Sequence, residues 1–583
     1  MVNYKFNPSE YAELIQLIEK EQLDQHVKAL TQWERLSGEK EAEAAADYIL
    51  EQLNKFGVHY DRYEFDGYFS DPLHGEVNVI SSDIFSVKAK SRSFSLHCPE
   101  GIEGNAVYDF YSEERHNGAD PIDRYTHLQG KIVVSWNFYE DYVKKIESAG
   151  ARGLIHIWPS PEKVIHEETV GAVWGTPTIE NVDQLTKIPV VGITFQDGMK
   201  LLERMQKEEI KVVVKTAVQT GIKRVSLPIA SIPGKADQYI LVSGHYDSWH
   251  KGATDNAGGN ALLLELARIF SNKKGGLTRG IKLAWWPGHS NGRYAGSTWY
   301  CDHFWHEINE KCMAHINVDF PGTMGGINVI PRSSSIEDER LPESIIAYFT
   351  GKKPNHSAYL PRGADQSFWG TNVPIHIQFK YEPIETDKVY NTPGGNWWWH
   401  TEEDLYDKID LELLMRDTKM HASLVHELVN LETLPINLTA FIYNGRKIIE
   451  EIDGNSDEQF DFTPIYESLN VLTEQVKTLS ETEIVHADAY NNMLKAVAGT
   501  LNRLMFSYSS KYEFDSTFPF HPYPGLAKVK NIYSANISSE DFLFAKTYYV
   551  RQRNRFVNEV REACWKINEY IKSDLTCLKI TSS

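Results

Sequence analysis

No stretch of eighteen apolar residues occurs in the 583-residue chain, so the sequence offers no membrane-spanning helix. The first residues, Met1-Val2-Asn3-Tyr4-Lys5-Phe6, lack the charged-then-apolar pattern of a secretion signal. Cysteine is scarce. Cys98, Cys301, Cys312, Cys564 and Cys577 are odd in number and widely spaced, with no CxxC pair. That argues against a disulfide framework or a cysteine zinc site and fits reduced thiols in a cytoplasm. Basic residues are in deficit, 60 Lys+Arg against 80 Asp+Glu, for a formal net charge of −20. Duplex nucleic acid demands a dense basic surface and an anionic bilayer repels such a chain, so neither is an expected partner. Tandem repeats and low-complexity tracts are absent too. What is present is ordinary for a globular protein, 42% hydrophobic and 24% charged. At roughly 150 residues per domain the length suggests about three or four domains. The expectation is a soluble, multidomain, cytoplasmic protein.

Residues 8–36 read as helix after an Asn7-Pro8 entry, and a second helix runs from Ser37-Gly38-Glu39 to Phe56, stopping at Gly57. Alternation in Val58–Tyr63 predicts a strand. From about 100 to 215, short β-branched runs (Ile132–Val134, Leu154–Ile157, Val190–Ile193) alternate with helical patches such as Asp141–Ala149, which suggests a small α/β insert. The stretch 238–320 alternates more strongly: a buried strand at Tyr239–Val242, a helix at Asn260–Phe270, and strands at Ile281–Trp285 and His315–Val318. That order implies a mostly parallel sheet with ligands at the carboxyl ends of its strands. Beyond about 455 three apolar seams at helical spacing predict a bundle: Ile465 to Leu479, Leu494 to Leu504, and Phe556 to Ile571.

Four segments carry the chemistry. Ser243–Trp249 contains His245 and Asp247, Gly252–Gly259 contains Asp255, His315–Asp319 ends on Asp319, and Trp399–Asp404 contains His400. Two imidazoles and two carboxylates make an N/O donor set suited to Zn²⁺ or another first-row ion. One aspartate can bridge two ions about 4 Å apart. Asp247 is placed to orient the His245 imidazole. Taken singly, a strand-end histidine is more often structural, and an aspartate in a glycine loop is more often a turn or cap. It is their joint occurrence that points to a metal site.

In these segments the chain resembles the co-catalytic zinc aminopeptidase family, in the branch of glutamate carboxypeptidase II and the non-enzymatic transferrin receptor. The likeness extends to Ser37–Phe56, to the insert (Gly130-Lys131-Ile132-Val133, Gly150-Ala151-Arg152-Gly153, Ile188-Pro189-Val190-Val191) and to the helical C-terminus. It implies an α/β peptidase core with a mixed, mostly parallel sheet and flanking helices over 1–95 and 220–450. A protease-associated α/β insert would occupy 96–219, and a helical dimerisation-like domain 451–583. It further implies that His245 and Asp319 bind one metal, that Asp255 bridges, and that His400 binds a second. One or two zinc ions, or another first-row divalent metal, and a homodimer through the C-terminal helices are expected with it.

The family also places two adjacent glutamates, a general base and a ligand, before a Gly-Ser motif. Trp285–Thr298 holds no glutamate and has one extra residue before Gly296-Ser297. Aligned from the left, His289 and Ser290 replace the pair; aligned from the right, Ser290 and Asn291 do. A neutral imidazole can take a proton from water, so His289 is a candidate base, and it is equally a candidate ligand for the second metal. Ser and Asn are poor zinc ligands, which leaves a mononuclear site at His245, Asp255 and Asp319 open as well.

Arg293 and Tyr294 are candidates to receive a substrate carboxylate or oxyanion. Trp397-Trp398-Trp399 could wall a pocket or exclude water beside His400. In Arg362–Phe368, which resembles the family's substrate-facing Ser-Asp-His-x-x-Phe region, Gln366 stands where histidine is usual. The expected function is a metal-dependent hydrolase that cleaves an amide bond in a small peptide or acylated amino acid. The alternatives are a lyase-type metal enzyme on the same fold and a catalytically silent binding or scaffold homologue.

Overall fold

The apolar run at 239–242 grows into the strand Tyr239–His245, buried along its whole length. It lies between two parallel neighbours, Gly280–Trp286 and Cys312–Asn317, and the second of these pairs in parallel with His376–Glu382. Strands covered on both faces need apolar side chains in both directions, which is why they read as runs and not as alternations. The structure, a computed structural model, describes residues 7–81, 84–110, 124–272, 276–382, 396–518 and 521–581.

One face of this parallel centre is covered by the helices Lys20–Leu30, Lys40–Lys55, Gly258–Ser271 and Leu411–Asn430, which share a core with Ile240, Val242, Ile281 and Ile316. The alternate residues Tyr239, Leu241, Ala284 and Trp286 point the other way, against Ala295–His303 and Trp305–Lys311. The helix predicted over 8–36 is instead a short turn at Pro8–Tyr11, a helix at Ala12–Gln16, and a second at Lys20–Leu30. The break comes where Glu265 accepts a hydrogen bond from the Glu19 backbone N–H (2.7 Å), a tertiary contact that no local pattern encodes.

Two long strands, His59–Val79 and Lys211–Ile232, pair antiparallel over nearly their full length and carry the sheet beyond the core. There Cys98–Tyr108, Ile132–Ser135, Gly153–Ile157 and Val190–Ile193 run parallel, and Phe85–Ser91 closes on the last of them antiparallel. The described strands form one thirteen-stranded sheet. Phe85–Ser91 thus bridges His59–Val79 and the last of the four parallel strands.

The three C-terminal seams lie on Thr463–Glu481, Ala487–Phe506 and Ser539–Thr581, and their apolar residues from Ile465 to Ile567 are buried. Lys495 ties the second of these helices to the core: its ammonium donates to the Cys312 carbonyl (2.7 Å) and the Asn372 carbonyl (3.0 Å). Cys98, Cys301, Cys312 and Cys564 form no disulfide, while the side chain of Cys577 lies outside the described residues. Among the described residues no helix is long and apolar enough to cross a membrane.

Candidate metal centre

His245 is the last residue of its strand, and Asp319 follows the end of the neighbouring Cys312–Asn317, so both emerge at the carboxyl edge of the parallel sheet. Asp255 arrives from the Gly252–Asn256 loop that precedes the helix Gly258–Ser271. Gly252 has φ +47°, and a Cβ there would lie 2.3 Å from the Asp255 carbonyl oxygen, so only glycine fits. Asp404 fixes the loop by accepting from the Thr254 N–H (2.9 Å) and the Asp255 N–H (3.1 Å). From the opposite side the buried Arg35 guanidinium donates to the carbonyls of Tyr246, Lys251 and Gly252 at 2.7–2.9 Å.

His245 Nε2 lies 3.0 Å from Asp255 Oδ1 and 3.5 Å from Asp319 Oδ1. All three atoms are buried, and none makes a hydrogen bond. Buried polar atoms normally find partners, so one nitrogen and two carboxylate oxygens converging without them fit a first-row divalent cation. Burial disfavours the charged His245 imidazole, but Asp255 and Asp319 outweigh it and hold its pKa well above the usual value. Burial pushes Asp319 up, and the neighbouring Asp255 carboxylate adds to this.

The other oxygen of Asp255 is committed elsewhere. Oδ2 accepts from the Trp399 indole N–H (3.0 Å) and lies 2.9 Å from His400 Nε2. His400 thus joins the centre through Asp255 and stands outside the first trio, and its ring stacks on Trp399. Of the three tryptophans, Trp399 reaches the site, while Trp397 and Trp398 lie beside Lys408. Asp247 meets His245 as expected, but through its main chain. His245 Nδ1 meets its backbone carbonyl (2.9 Å), and its carboxylate accepts from the N–H groups of His289 (3.1 Å) and Ser290 (3.0 Å).

His289 stacks on His245 with ring centroids 3.8 Å apart, and its Nδ1 is 2.7 Å from Asp365 Oδ2. Its nitrogens do not join the His245–Asp255–Asp319 set. The carboxylate of Asp365 also accepts from the Ser297 hydroxyl (2.8 Å). Asn291, the right-hand alternative, is fully buried and donates to Asp71 (2.7 Å). Arg293 pairs with Glu140 of the insert, and Tyr294 packs against Trp174 and the edge of His289. Gln366 is buried away from the centre, whereas Arg362, Gly363 and Ala364 of the same loop line the cavity.

That cavity, of about 560 Å³, opens beside Asp255 and Asp319 and is walled by Phe138, Glu168, His289, Arg332 and Trp399. Arg332 makes no side-chain hydrogen bond or ion pair with the described residues, and burial pulls its pKa down from the usual guanidinium value. Sequence reasoning missed Asp365 as the partner of His289, Glu140 as the partner of Arg293, and His166 and Glu168, which approach His400. The only local signal for the last pair was the run His166-Glu167-Glu168, a dense set of ligand-type residues inside the insert.

Residues 229–425 match the model described as peptidase family M28. Aminopeptidase YwaD of Bacillus subtilis (strain 168) is 25% identical over 317 residues, which is 51% of this chain and 61% of that protein. Carboxypeptidase Q of Xenopus laevis is 25% identical over 319 residues, 50% of this chain and 62% of that one. The chain therefore spans about three fifths of the length of these curated relatives. Among solved structures, BSAP, a zinc aminopeptidase from Bacillus subtilis, superposes with a TM-score of 0.54 at 18% identity, covering 72% of this chain and 98% of that one. The fold is thus the α/β peptidase fold, and the residues that match the peptidase family M28 model, 229–425, include His245, Asp255, Asp319 and His400.

Proposed function

We propose that the protein is a metal-dependent hydrolase that cleaves an amide bond in a small peptide or acylated amino acid. The observation that carries this reading is the convergence of three buried atoms, His245 Nε2, Asp255 Oδ1 and Asp319 Oδ1, with no hydrogen-bond partner outside their own set, at one end of a cavity that His289 also lines. These residues would hold the ion. Zinc is the proposed metal because the donor set suits it and because the similar BSAP is titled a zinc aminopeptidase; another first-row divalent ion fits the same donors. When bound, such an ion supplies Lewis acidity toward an amide carbonyl.

Asp365 accepts the Nδ1 proton of His289, and this leaves Nε2 as the basic nitrogen facing the cavity. His289 then takes a proton from the attacking water and returns it to the departing amine, the task a glutamate performs in the resembling family. Trp399 holds Asp255 in place and walls the cavity beside it. Arg293 is neutralised by Glu140, so Arg332 is the group proposed to receive a substrate carboxylate. The insert and the C-terminal helices support the finer resemblance to the glutamate carboxypeptidase II branch, with a homodimer built through residues 451–583.

The test is a screen of dipeptides and N-acyl amino acids with metal-loaded and chelator-treated protein, with products formed in ¹⁸O-water. Expected are turnover that metal restores and label in the released carboxylate. Turnover without label would overturn hydrolysis, and full activity in the metal-free protein would overturn the metal dependence.

A further inference from the structure

Beyond the first trio, His166, Glu168 and His400 offer ligand atoms that all lie within 4.8 Å of one another, and all three residues are buried. His166 is 1% exposed, and neither of its ring nitrogens has a hydrogen-bond partner. The ring is held by stacking alone, on Trp158 at 3.6 Å and beside His400 at 5.3 Å. A buried imidazole with both nitrogens unpartnered costs free energy unless something binds there. Glu168 uses Oε1 to accept from the Thr169 N–H (2.9 Å), and its Oε2 lies 3.6 Å from His400 Nδ1.

The direction of His400 decides where a second cation can go. Its Nε2 faces Asp255 Oδ2, an oxygen already taken by the Trp399 indole N–H, so the corner between Asp255 and His400 is closed by a donor. Nδ1–H faces the insert and donates to the Glu167 carbonyl (3.1 Å) next to Glu168, so a cation bound at Nδ1 displaces that proton and that hydrogen bond. Ligation at Nδ1 leaves the Nε2 proton on Asp255, so a single carboxylate orients one ligand imidazole while binding at the first trio with its other oxygen.

We propose that His166, Glu168 and His400 form a separate divalent-cation site in which the insert supplies two of the three ligands, replacing the glutamate ligand missing from Trp285–Thr298. Two imidazoles and a carboxylate are a donor set that holds Zn²⁺ with a position left open. The two sites are joined through the two oxygens of Asp255 and the His400 ring, and no carboxylate bridges two ions. This goes beyond the proposed hydrolase, since the cluster can bind metal whatever reaction the protein performs.

The test uses full-length protein stripped with chelator, reloaded with Zn²⁺ or Co²⁺ and freed of excess metal, with ions counted per chain by mass spectrometry. Wild type is expected to hold two. Glu168→Gln, which is isosteric, and His166→Phe, which keeps the stacking ring, are expected to hold one, with unchanged circular dichroism. Asp319→Asn is expected to lose the other. Two ions retained in both Glu168→Gln and His166→Phe would overturn the site, as would a single wild-type ion that Asp319→Asn removes and Glu168→Gln keeps. Should His166→Phe not fold, Glu168→Gln decides alone. Metal retained in full by Asp319→Asn would instead overturn the first trio and leave this site standing.

Discussion

Asp365 Oδ2 stands 2.7 Å from His289 Nδ1, and the same carboxylate is held by the Ser297 hydroxyl, so a buried charge fixes both the tautomer and the direction of the His289 imidazole. If His289 moves the proton, Asp365→Asn should lower kcat about 10²-fold with KM nearly unchanged and metal content intact, and His289→Ala should cost at least as much. Steady-state kinetics on the best substrate from the screen checks this. Equal loss of bound metal in Asp365→Asn would mean the pair serves structure and not proton transfer.

The metal-free centre stores protons. Burial opposes the His400 imidazolium, but Asp255 and Glu168 outweigh it and raise its pKa to about 9, and His245 is also raised. At pH 7 His400 is below its folded pKa and carries a proton, and the upward shift of His245 favours its proton as well, whereas a ligating imidazole must be neutral. Loading the protein at pH 7 should therefore release about two protons, and affinity should climb with pH until about 9. Calorimetry in buffers of different ionisation enthalpy reads the number directly.

Arg332 lines the cavity and forms no direct ion pair with the described residues, Glu382 and Asp319 acting on it from a distance. Arg332→Ala should raise KM about 10- to 100-fold for substrates ending in a carboxylate, the range for a lost charged hydrogen bond. The amidated analogues should be turned over equally by both proteins, and a matching loss on both would place Arg332 outside recognition.

Lys495 makes a stability prediction far from the site. Burial lowers its pKa to about 8 from the ordinary 10.5. Between these values the unfolded chain holds the proton that the folded chain has lost, so the contribution of Lys495 to stability rises with pH from about 8 to 10.5. Lys495→Met should remove a slope of at most about 1.4 kcal/mol per pH unit from the urea-unfolding free energy over that window and leave the slope below pH 7 unchanged.

His245, Asp255 and Asp319 were legible because each sits in a local setting, a strand end or a glycine loop, that announces itself within a few residues, and His400 because it follows the tryptophan run at 397–399. His289 was legible as a departure from an expected pattern. Its partner was not: Asp365 lies 76 residues away and reaches back from a left-handed backbone with φ +56°, which no periodicity encodes. The same holds for His166 and Glu168, which lie on irregular chain between Gly153–Ile157 and Val190–Ile193 and meet His400 only once the insert folds against the core. Asp247 was correctly linked to His245 by its spacing, but spacing does not say whether the carbonyl or the carboxylate does the orienting.

The two paired strands His59–Val79 and Lys211–Ile232, 21 and 22 residues long, join the two parallel groups of the sheet, the second bordering Gly280–Trp286 at one end and Cys98–Tyr108 at the other. At about 3.3 Å per residue each runs for about 70 Å, with a register irregularity only near Pro72/His74. A shared double strand is a girder and not a hinge. The wall that brings Phe138, Glu140 and Glu168 to the cavity is therefore tied by paired backbone to the sheet that carries His245, and for the proposed hydrolase this predicts a gap whose width limits substrate size.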